Sequence, residues 1–263
     1  MKKLWILGLV MIFLSAYSVA SAAPVDVPTA VQGLKSKVFE SKDLGLALSV
    51  GAEGDFVNER ELDESDGEAE FNAWGGKIIL SLIDRFDLYT TLGQVVDPEY
   101  KAKILGSDVI FELEDKFFWS VGLNALLYEQ KDWGVKLFAD AKFRSVKDMA
   151  YEALIIDGTK YTKSQLAGLE LDAKWKEWQV ALGVAKQLAN YFIPYGGIKF
   201  SGVEASAKAT YSGTTYDLGS ADADKVVGLF VGCAITPFES FSIDLQGRFI
   251  DETAFSVRGT FKF

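Results

Sequence analysis

The sequence lacks several residues on which common enzyme chemistry depends. It contains no histidine, one cysteine (Cys233) and five prolines among 263 residues. The absence of histidine excludes Ser-His-Asp hydrolysis, Cys-His chemistry and histidine-ligated zinc. A single cysteine excludes an intramolecular disulfide framework and any multi-cysteine metal site. We therefore expect no catalytic residues, no metal site and no cofactor.

Long apolar runs are also missing, although hydrophobic residues make up 49% of the chain. Beyond the N-terminal region the longest apolar run is Val226–Ile235, which is shorter than the roughly 18–20 residues of a transmembrane helix. The high hydrophobic fraction excludes a disordered chain. The net charge of −10 argues against a nucleic-acid partner, because phosphate binding needs clustered Lys and Arg.

The N-terminal region has the pattern of a secretory signal peptide over residues 1–22. Lys2 and Lys3 precede an apolar stretch, and Ala20-Ser21-Ala22 is an A-x-A cleavage site. We expect residues 23–43 to form a periplasmic tail and residues 44–263 to form a single folded domain. An exported, apolar-rich chain without a spanning helix leaves two fold classes, a soluble β-sandwich and an outer-membrane β-barrel.

Strict alternation of apolar and polar residues predicts the strands. In Ala254–Phe263 one face carries Phe255, Val257, Gly259, Phe261 and Phe263, and the other carries Ser256, Arg258, Thr260 and Lys262. The same period of two runs through Leu44–Asp55, Trp133–Arg144 and Phe241–Ile250. Tilted strands of about ten residues cross a hydrocarbon layer. The pattern therefore favours an all-β fold, a closed antiparallel transmembrane barrel.

The count of strands is ten, with short turns at one end and longer connections at the other, as in outer-membrane barrels. The predicted strands are residues 44–58, 70–82, 87–103, 108–127, 133–144, 169–186, 192–201, 225–236, 241–250 and 254–263. A count of twelve is the alternative, because the apolar positions change parity at Lys176-Glu177. We interpret that change as a β-bulge rather than a turn.

Aromatic residues at the strand ends predict interfacial girdles. We expect one girdle at the turn side and one toward the loops. The turn-side girdle is Trp133, Trp178, Phe241 and Phe263, and the loop-side girdle is Phe143, Trp175, Phe56 and Phe71.

Two short segments resemble a known family. Gly247–Phe263 (GRFIDETAFSVRGTFKF) resembles the end of the chlamydial major outer membrane porin, and Pro194–Ser201 (PYGGIKFS) resembles a motif of the same family. The likeness covers about the last 70 residues. It implies a barrel in a Gram-negative-type outer membrane. The alternating apolar residues that end in a terminal phenylalanine resemble, in addition, the C-terminal signature of bacterial outer-membrane barrels. This resemblance implies that Phe255, Val257, Phe261 and Phe263 are the signal presented to the barrel assembly machinery.

The inward-facing polar set is the candidate site. We expect it to line a pore, and its members are Lys77, Lys136, Asp140, Lys142, Arg144, Lys199, Asp244, Arg248 and Arg258. The alternative is an internal salt-bridge network that fills the lumen, since charges away from bulk water must be paired. Barrels of eight strands are filled by side chains and barrels of sixteen hold an aqueous channel, so ten strands leave both alternatives open.

Two connections carry separate hypotheses. Glu59–Glu70 holds seven acids and one arginine; we interpret it as a solvated loop, with binding of a divalent cation as the alternative. Val146–Ala167 contains the apolar stretch Ala153-Leu154-Ile155-Ile156, which either constricts the mouth or belongs to a strand that extends above the membrane. Asp251 and Glu252 are expected to form a hairpin tip and no site.

The predicted function is a porin-like channel for passive diffusion of ions or small polar solutes. The alternative is a non-conducting structural or adhesive barrel that acts through its extracellular loops. The expected partners are outer-membrane lipid and, during biogenesis, the barrel assembly machinery, while the oligomeric state stays open.

Overall fold

The computed structural model describes residues 23–35, 40–41, 45–62, 67–104, 106–166, 168–189, 191–211, 214–222 and 226–263. Within them the chain forms a helix, α1 (Thr29–Gln32), and sixteen antiparallel strands of one sheet. The strands are β1 (Glu40–Ser41), β2 (Leu46–Glu59), β3 (Glu61–Leu62), β4 (Gly67–Leu82), β5 (Phe86–Ile104), β6 (Ser107–Leu113), β7 (Lys116–Gln130), β8 (Val135–Met149), β9 (Tyr151–Ile156), β10 (Thr159–Thr162), β11 (Leu169–Lys186), β12 (Phe192–Tyr211), β13 (Thr214–Asp222), β14 (Val227–Phe238), β15 (Phe241–Phe249) and β16 (Thr253–Lys262). The predicted signal peptide lies outside the described residues.

Ten of the described strands close into a barrel. The order around it is β2, β4, β5, β7, β8, β11, β12, β14, β15 and β16, and β16 pairs back with β2. Short connections join the strands at one end, which we call the turn end; the opposite end is the loop end. The prediction of a ten-stranded antiparallel barrel is confirmed. The twelve-stranded alternative is wrong, because β11 continues without a turn from Leu169 to Lys186.

The change of parity in β11 has a different cause from the bulge that the sequence suggested. Its register with β12 is unbroken through Lys176-Glu177, and inward positions continue to alternate with outward ones. What changes is the polarity of each face. Near the loop end the inward residues are apolar and the outward ones polar. From the middle of the strand toward the turn end the pattern is reversed, beginning with Glu177 inward and Trp178 outward. The membrane layer therefore ends near Trp178.

The strands extend past this layer at the loop end. β5, β11 and β12 have 19, 18 and 20 residues, whereas about ten cross the hydrocarbon. β6 pairs back on β5, and the β9–β10 hairpin pairs with β6. The segment predicted as one strand over 108–127 is thus two strands, which the chain interrupts at Glu114-Asp115. We call this extension of the sheet the head.

In the part of the chain that the structure describes, no helix has the length and apolarity to cross a bilayer. The apolar surface lies instead on the outward face of the strands. Between the two ends this face exposes large aliphatic residues, among them Ile78, Leu88, Leu123, Val180, Leu182, Ile198, Leu229 and Val231. This band is the surface that a barrel presents to lipid.

Candidate functional site: the filled lumen

The N-terminal segment of the described chain lies inside the barrel. Ala23 to Thr29 are all buried, and hydrogen bonds join them to inward-facing side chains of several strands. The expectation of a periplasmic tail is therefore wrong for residues 23–34, which we call the plug. Lys35, in contrast, is exposed at the turn end, where its Nζ lies 3.1 Å from Glu239.

Local sequence shapes the plug. Pro28 precedes α1, and Gly33 ends it in a left-handed conformation with φ of 71°, which glycine adopts without steric cost. Val25, Val27 and Val31 pack against Phe138 and Phe230, two rings on the barrel wall. The plug therefore has an apolar face in addition to its polar contacts.

Asp26 is the central anchor of the plug. Its carboxylate pairs with Lys77 of β4, with Lys142 of β8 at 2.6 Å, and with Arg258 of β16 at 3.1 Å. Its main-chain N–H donates to Asp140 at 3.1 Å. One carboxylate thus ties three strands that are not neighbours in the sheet.

Further hydrogen bonds hold the plug along its length. Asp87 accepts the Thr29 N–H at 2.7 Å and its hydroxyl at 3.0 Å. Gln246 accepts from the Val25 N–H at 2.9 Å and donates to the Val25 carbonyl at 3.0 Å. Lys136 donates to the carbonyl of Ala30 at 2.9 Å. Polar groups along the whole plug thus find partners on the wall, in keeping with their burial.

Above the plug, toward the loop end, lies a second group of buried charges, the upper ion cluster. It consists of Asp55, Arg60, Arg144, Glu177, Lys199, Arg248, Asp251 and Glu252. Arg248 donates to Asp55 and to Glu252 at 2.6 Å each, and Arg60 lies 2.9 Å from Asp251. The expectation that Asp251 and Glu252 form only a hairpin tip is wrong, since both carboxylates turn inward and neutralise bases on β12 and β15.

An apolar cluster closes the loop end above these charges; we call it the upper apolar cluster. It includes Phe71, Tyr100, Phe111, Phe118, Val146, Met149, Leu154, Leu171 and Trp175. Leu154 comes from the stretch for which the sequence offered two hypotheses. The stretch belongs to strand β9 of the head, and from there Leu154 packs into the upper apolar cluster.

The nine predicted pore-lining residues all face inward and are buried. Arg258 contacts Asp244, and Lys199 contacts both Asp251 and Glu252. A void of about 10 Å³ lies beside Arg144 and Trp175, the room of about one water molecule. The orientation predicted from parity is therefore observed, while the role in lining a pore stays a prediction.

The aromatic girdles differ from the prediction at three residues. Phe71 and Trp175 lie inside the barrel, with ring centroids 5.7 Å apart, because they stand above the membrane layer, where the interior is apolar. Trp178 pairs with Phe143 and so lies toward the loop end rather than at the turn side. The outward indoles of Trp74, Trp119 and Trp178 stand at this level.

Sequence reasoning missed the plug and four of the acids that neutralise the inward bases, Asp26, Glu177, Asp251 and Glu252. The plug has a readable signal, since valines at 25, 27 and 31 flank a single acid, Asp26, whereas a solvated tail carries more charge. Arg60 is the single basic residue of the acidic segment 59–70, which is a weaker indication that it has a separate role. The side chains of 61–66 in that segment lie outside the description. In the described residues, no group of three or more potential ligands is placed to hold a metal ion.

The closed sheet, its outward apolar band and its filled interior define the class of this protein, a transmembrane β-barrel of the outer-membrane type. No protein-family model and no curated protein matches the chain, so the chlamydial porin likeness remains one of short segments. Solved structures with similar shape include the outer membrane protease OmpT from Escherichia coli, at 8% identity and a TM-score of 0.43, covering 83% of this chain and 95% of that chain.

Two other solved structures are also similar in shape to this chain. The translocator domain of the autotransporter NalP from Neisseria meningitidis has 9% identity and a TM-score of 0.45, covering 83% of this chain and 88% of that one. The outer membrane protein OprG from Pseudomonas aeruginosa has 10% identity and a TM-score of 0.40, covering 88% and 98%. At these values the similarities assign no function.

Proposed function

We propose that this protein is a closed, non-conducting barrel of a Gram-negative-type outer membrane, with a structural or adhesive role for its head. The observation that carries the proposal is the double filling of the lumen. The plug occupies the turn-end half, and the upper ion and apolar clusters occupy the rest. Both fillings lie in the path that an ion would take through the lumen.

The head is the part that such a barrel offers to partners outside the cell. Its outer face carries exposed charges of both signs, including the pair of Lys160 with Glu112. Hydrogen bonds from Lys163 and Lys116 lower the pKa of Glu114, which lies at the junction of β6 and β7. A rigid, charged β-surface of this kind suits contact with lipid head groups or other envelope components. With no histidine in the chain, we propose no enzymatic role.

A porin-like channel, the function predicted from the sequence, is the second candidate. It is favoured by the polar wall behind the plug, where Lys77, Lys136, Asp140 and Lys142 contact a separate chain segment rather than one another. Departure of the plug would leave these charges lining a wide lower vestibule. Conduction also requires the upper apolar cluster to open.

Single-channel recording in planar bilayers tests the proposal. The full-length mature protein and a variant lacking residues 23–34 would be compared, after a gel mobility shift on heating and co-flotation with lipid verify folding and insertion. We expect no reproducible conductance steps from either protein, because the upper apolar cluster remains in both. Steps from the wild type would overturn the closed-barrel proposal, and steps from the deletion variant alone would establish a plug-gated channel.

A further inference from the structure

Ala23, the first residue of the plug, lies directly after the predicted A-x-A cleavage site at Ala20-Ser21-Ala22. Its main-chain nitrogen contacts the Glu177 carboxylate, and Ala23 is 1% exposed. The residue that processing would turn into the amino terminus is therefore already placed against a buried acid deep inside the barrel.

Glu177 is incompletely paired in the structure. The basic side chain at ion-pair distance is Arg144, whose Nη1 lies 3.9 Å from Glu177 Oε2, which is beyond hydrogen-bond reach. In the described part of the chain, neither that oxygen nor Arg144 Nη1 has a hydrogen-bond partner. A buried carboxylate is stable when a close cation and hydrogen bonds satisfy it. The site thus lacks one positive charge with donors of its own.

We propose that the Glu177 pocket is a binding site for the α-ammonium group of the processed protein. A signal-peptide endopeptidase adds water across the Ala22–Ala23 peptide bond. The carboxylate leaves with Ala22, and the new amine takes up a proton as the ammonium group of Ala23. One amide N–H becomes three N–H donors with a positive charge, which suits both oxygens of Glu177. Export processing thereby fixes the plug in the lumen.

Hydrogen bonds to the residues after Ala23 fix the position of the amino terminus along the axis of the lumen. Lys142 and Gln179 donate to the Pro24 carbonyl at 2.7 and 3.2 Å, and Val25 exchanges two hydrogen bonds with Gln246. The chain therefore cannot slide along the lumen without breaking these bonds. One extra residue before Ala23 displaces the charge by about 3.3 Å, away from Glu177. The site is consequently specific for cleavage after Ala22.

The test reads the chemical reactivity of the Ala23 amine in the folded, full-length mature protein. A limiting amount of an acetylating reagent is added to the protein in lipid, and the N-terminal peptide is then identified by mass spectrometry after proteolysis. We expect a chain that begins at Ala23, with its amine acetylated at least about tenfold more slowly than exposed lysines such as Lys160, because a paired and buried group reacts only after local opening. A different first residue, or an amine that reacts as fast as Lys160, would overturn the proposal.

Glu177→Gln and a matched control separate the ion pair from general loosening of the plug. Asp87→Asn is the control, because Asp87 also accepts a main-chain N–H of the plug, but that of an internal residue, Thr29. We expect Glu177→Gln to accelerate acetylation of the Ala23 amine about tenfold, a change equivalent to about 1.4 kcal/mol, while Asp87→Asn leaves the rate within twofold of wild type, about 0.4 kcal/mol. Equal rates in the two variants, whether raised or unchanged, would contradict the proposal.

A second variant tests the proposal independently, in case Glu177→Gln does not fold. Insertion of one glycine between Ala22 and Ala23 leaves every wall residue intact and moves the ammonium group off Glu177. We expect the same acceleration of acetylation, and a protected amine in this variant would overturn the proposal. Because acetylation reports on the amine and bilayer recording on conduction, failure here is distinguishable from failure of the closed-barrel proposal.

Discussion

At the scale of single residues, the lower lumen depends on glycines that face large rings. A Cβ on Gly183 would lie 2.4 Å from Cζ of Phe138, and one on Gly122 would lie 2.2 Å from Cζ of Tyr89. Both rings are buried against the plug or its anchors. The small residue on one strand and the ring on its neighbour therefore form one packing unit, which sets how much room remains for the plug.

Gly183→Ala is expected to destabilise the barrel by about 1–3 kcal/mol, because the new Cβ would force the fully buried ring of Phe138 to shift. The measurement is urea unfolding in lipid vesicles, followed by tryptophan fluorescence. The matched control is Gly76→Ala, since a Cβ there meets no atom within 4 Å. A Gly183→Ala midpoint equal to that of Gly76→Ala would contradict this packing argument.

Asp26→Ala is expected to be more damaging, at about 3–5 kcal/mol, because it leaves the buried cations of Lys77, Lys142 and Arg258 without a shared partner. Glu239→Ala removes an acid from an exposed pair with Lys35 and should cost less than about 1 kcal/mol. The temperature of the gel mobility shift reports both. Similar temperatures for the two variants would show that the Asp26 pairs contribute no more than a surface pair.

At the scale of elements, the polarity of each face of a strand depends on whether the residue lies in the membrane layer or in the head, as well as on the alternation of inward and outward positions. Along β11, Trp175 is buried and Trp178 faces outward, although both are aromatic and three residues apart. Along β4, inward Phe71 is followed toward the turn end by inward Lys77. Within the membrane layer the outward face of a strand meets lipid and its inward face meets the polar lumen. In the head the outward face meets water and the inward face meets the upper apolar cluster. The apolar residues therefore move from the outward face to the inward face where the strand leaves the membrane.

The cost in stability of placing a lysine on the outward face of β11 should therefore depend on whether the position lies in the membrane layer or in the head. Leu182→Lys places a charge near the middle of the lipid-facing band and is expected to cost about 2–4 kcal/mol. Glu170→Lys, at an exposed outward position of the head opposite Thr210, should change stability by less than about 0.5 kcal/mol. Urea unfolding in vesicles measures both. Equal effects would place the membrane boundary elsewhere on this strand.

Parity was sufficient to predict the ten strands and the inward direction of residues such as Lys142 and Arg258. It was insufficient where the polarity of the surroundings changes within one strand, as at Lys176-Glu177. It placed Asp244, the partner of Arg258, but carried no information on partners that lie outside the predicted strands. Asp26, Asp251 and Glu252 lie in the plug and in a strand connection, where no periodicity shows which way a side chain points. Their positions follow from the need to neutralise buried charge.

At the scale of the whole molecule, the barrel has two ends of different character. The turn end carries short connections and the entrance of the plug, and Lys131 is exposed there in the turn between β7 and β8. The loop end carries the head, where the Lys160 side chain is 53% exposed. Insertion into an outer membrane with short turns in the periplasm places the head outside the cell.

This orientation predicts different labelling of two introduced cysteines. In a Cys233→Ala background, Lys160→Cys should react with a membrane-impermeant maleimide on intact cells, because β10 stands in the head. Lys131→Cys should react only after the outer membrane is made permeable, because its turn lies in the periplasm and the closed lumen gives the reagent no path. Labelling of Lys131→Cys on intact cells would show that the barrel is inverted or that its lumen is open, and recording of conductance would then decide between the two.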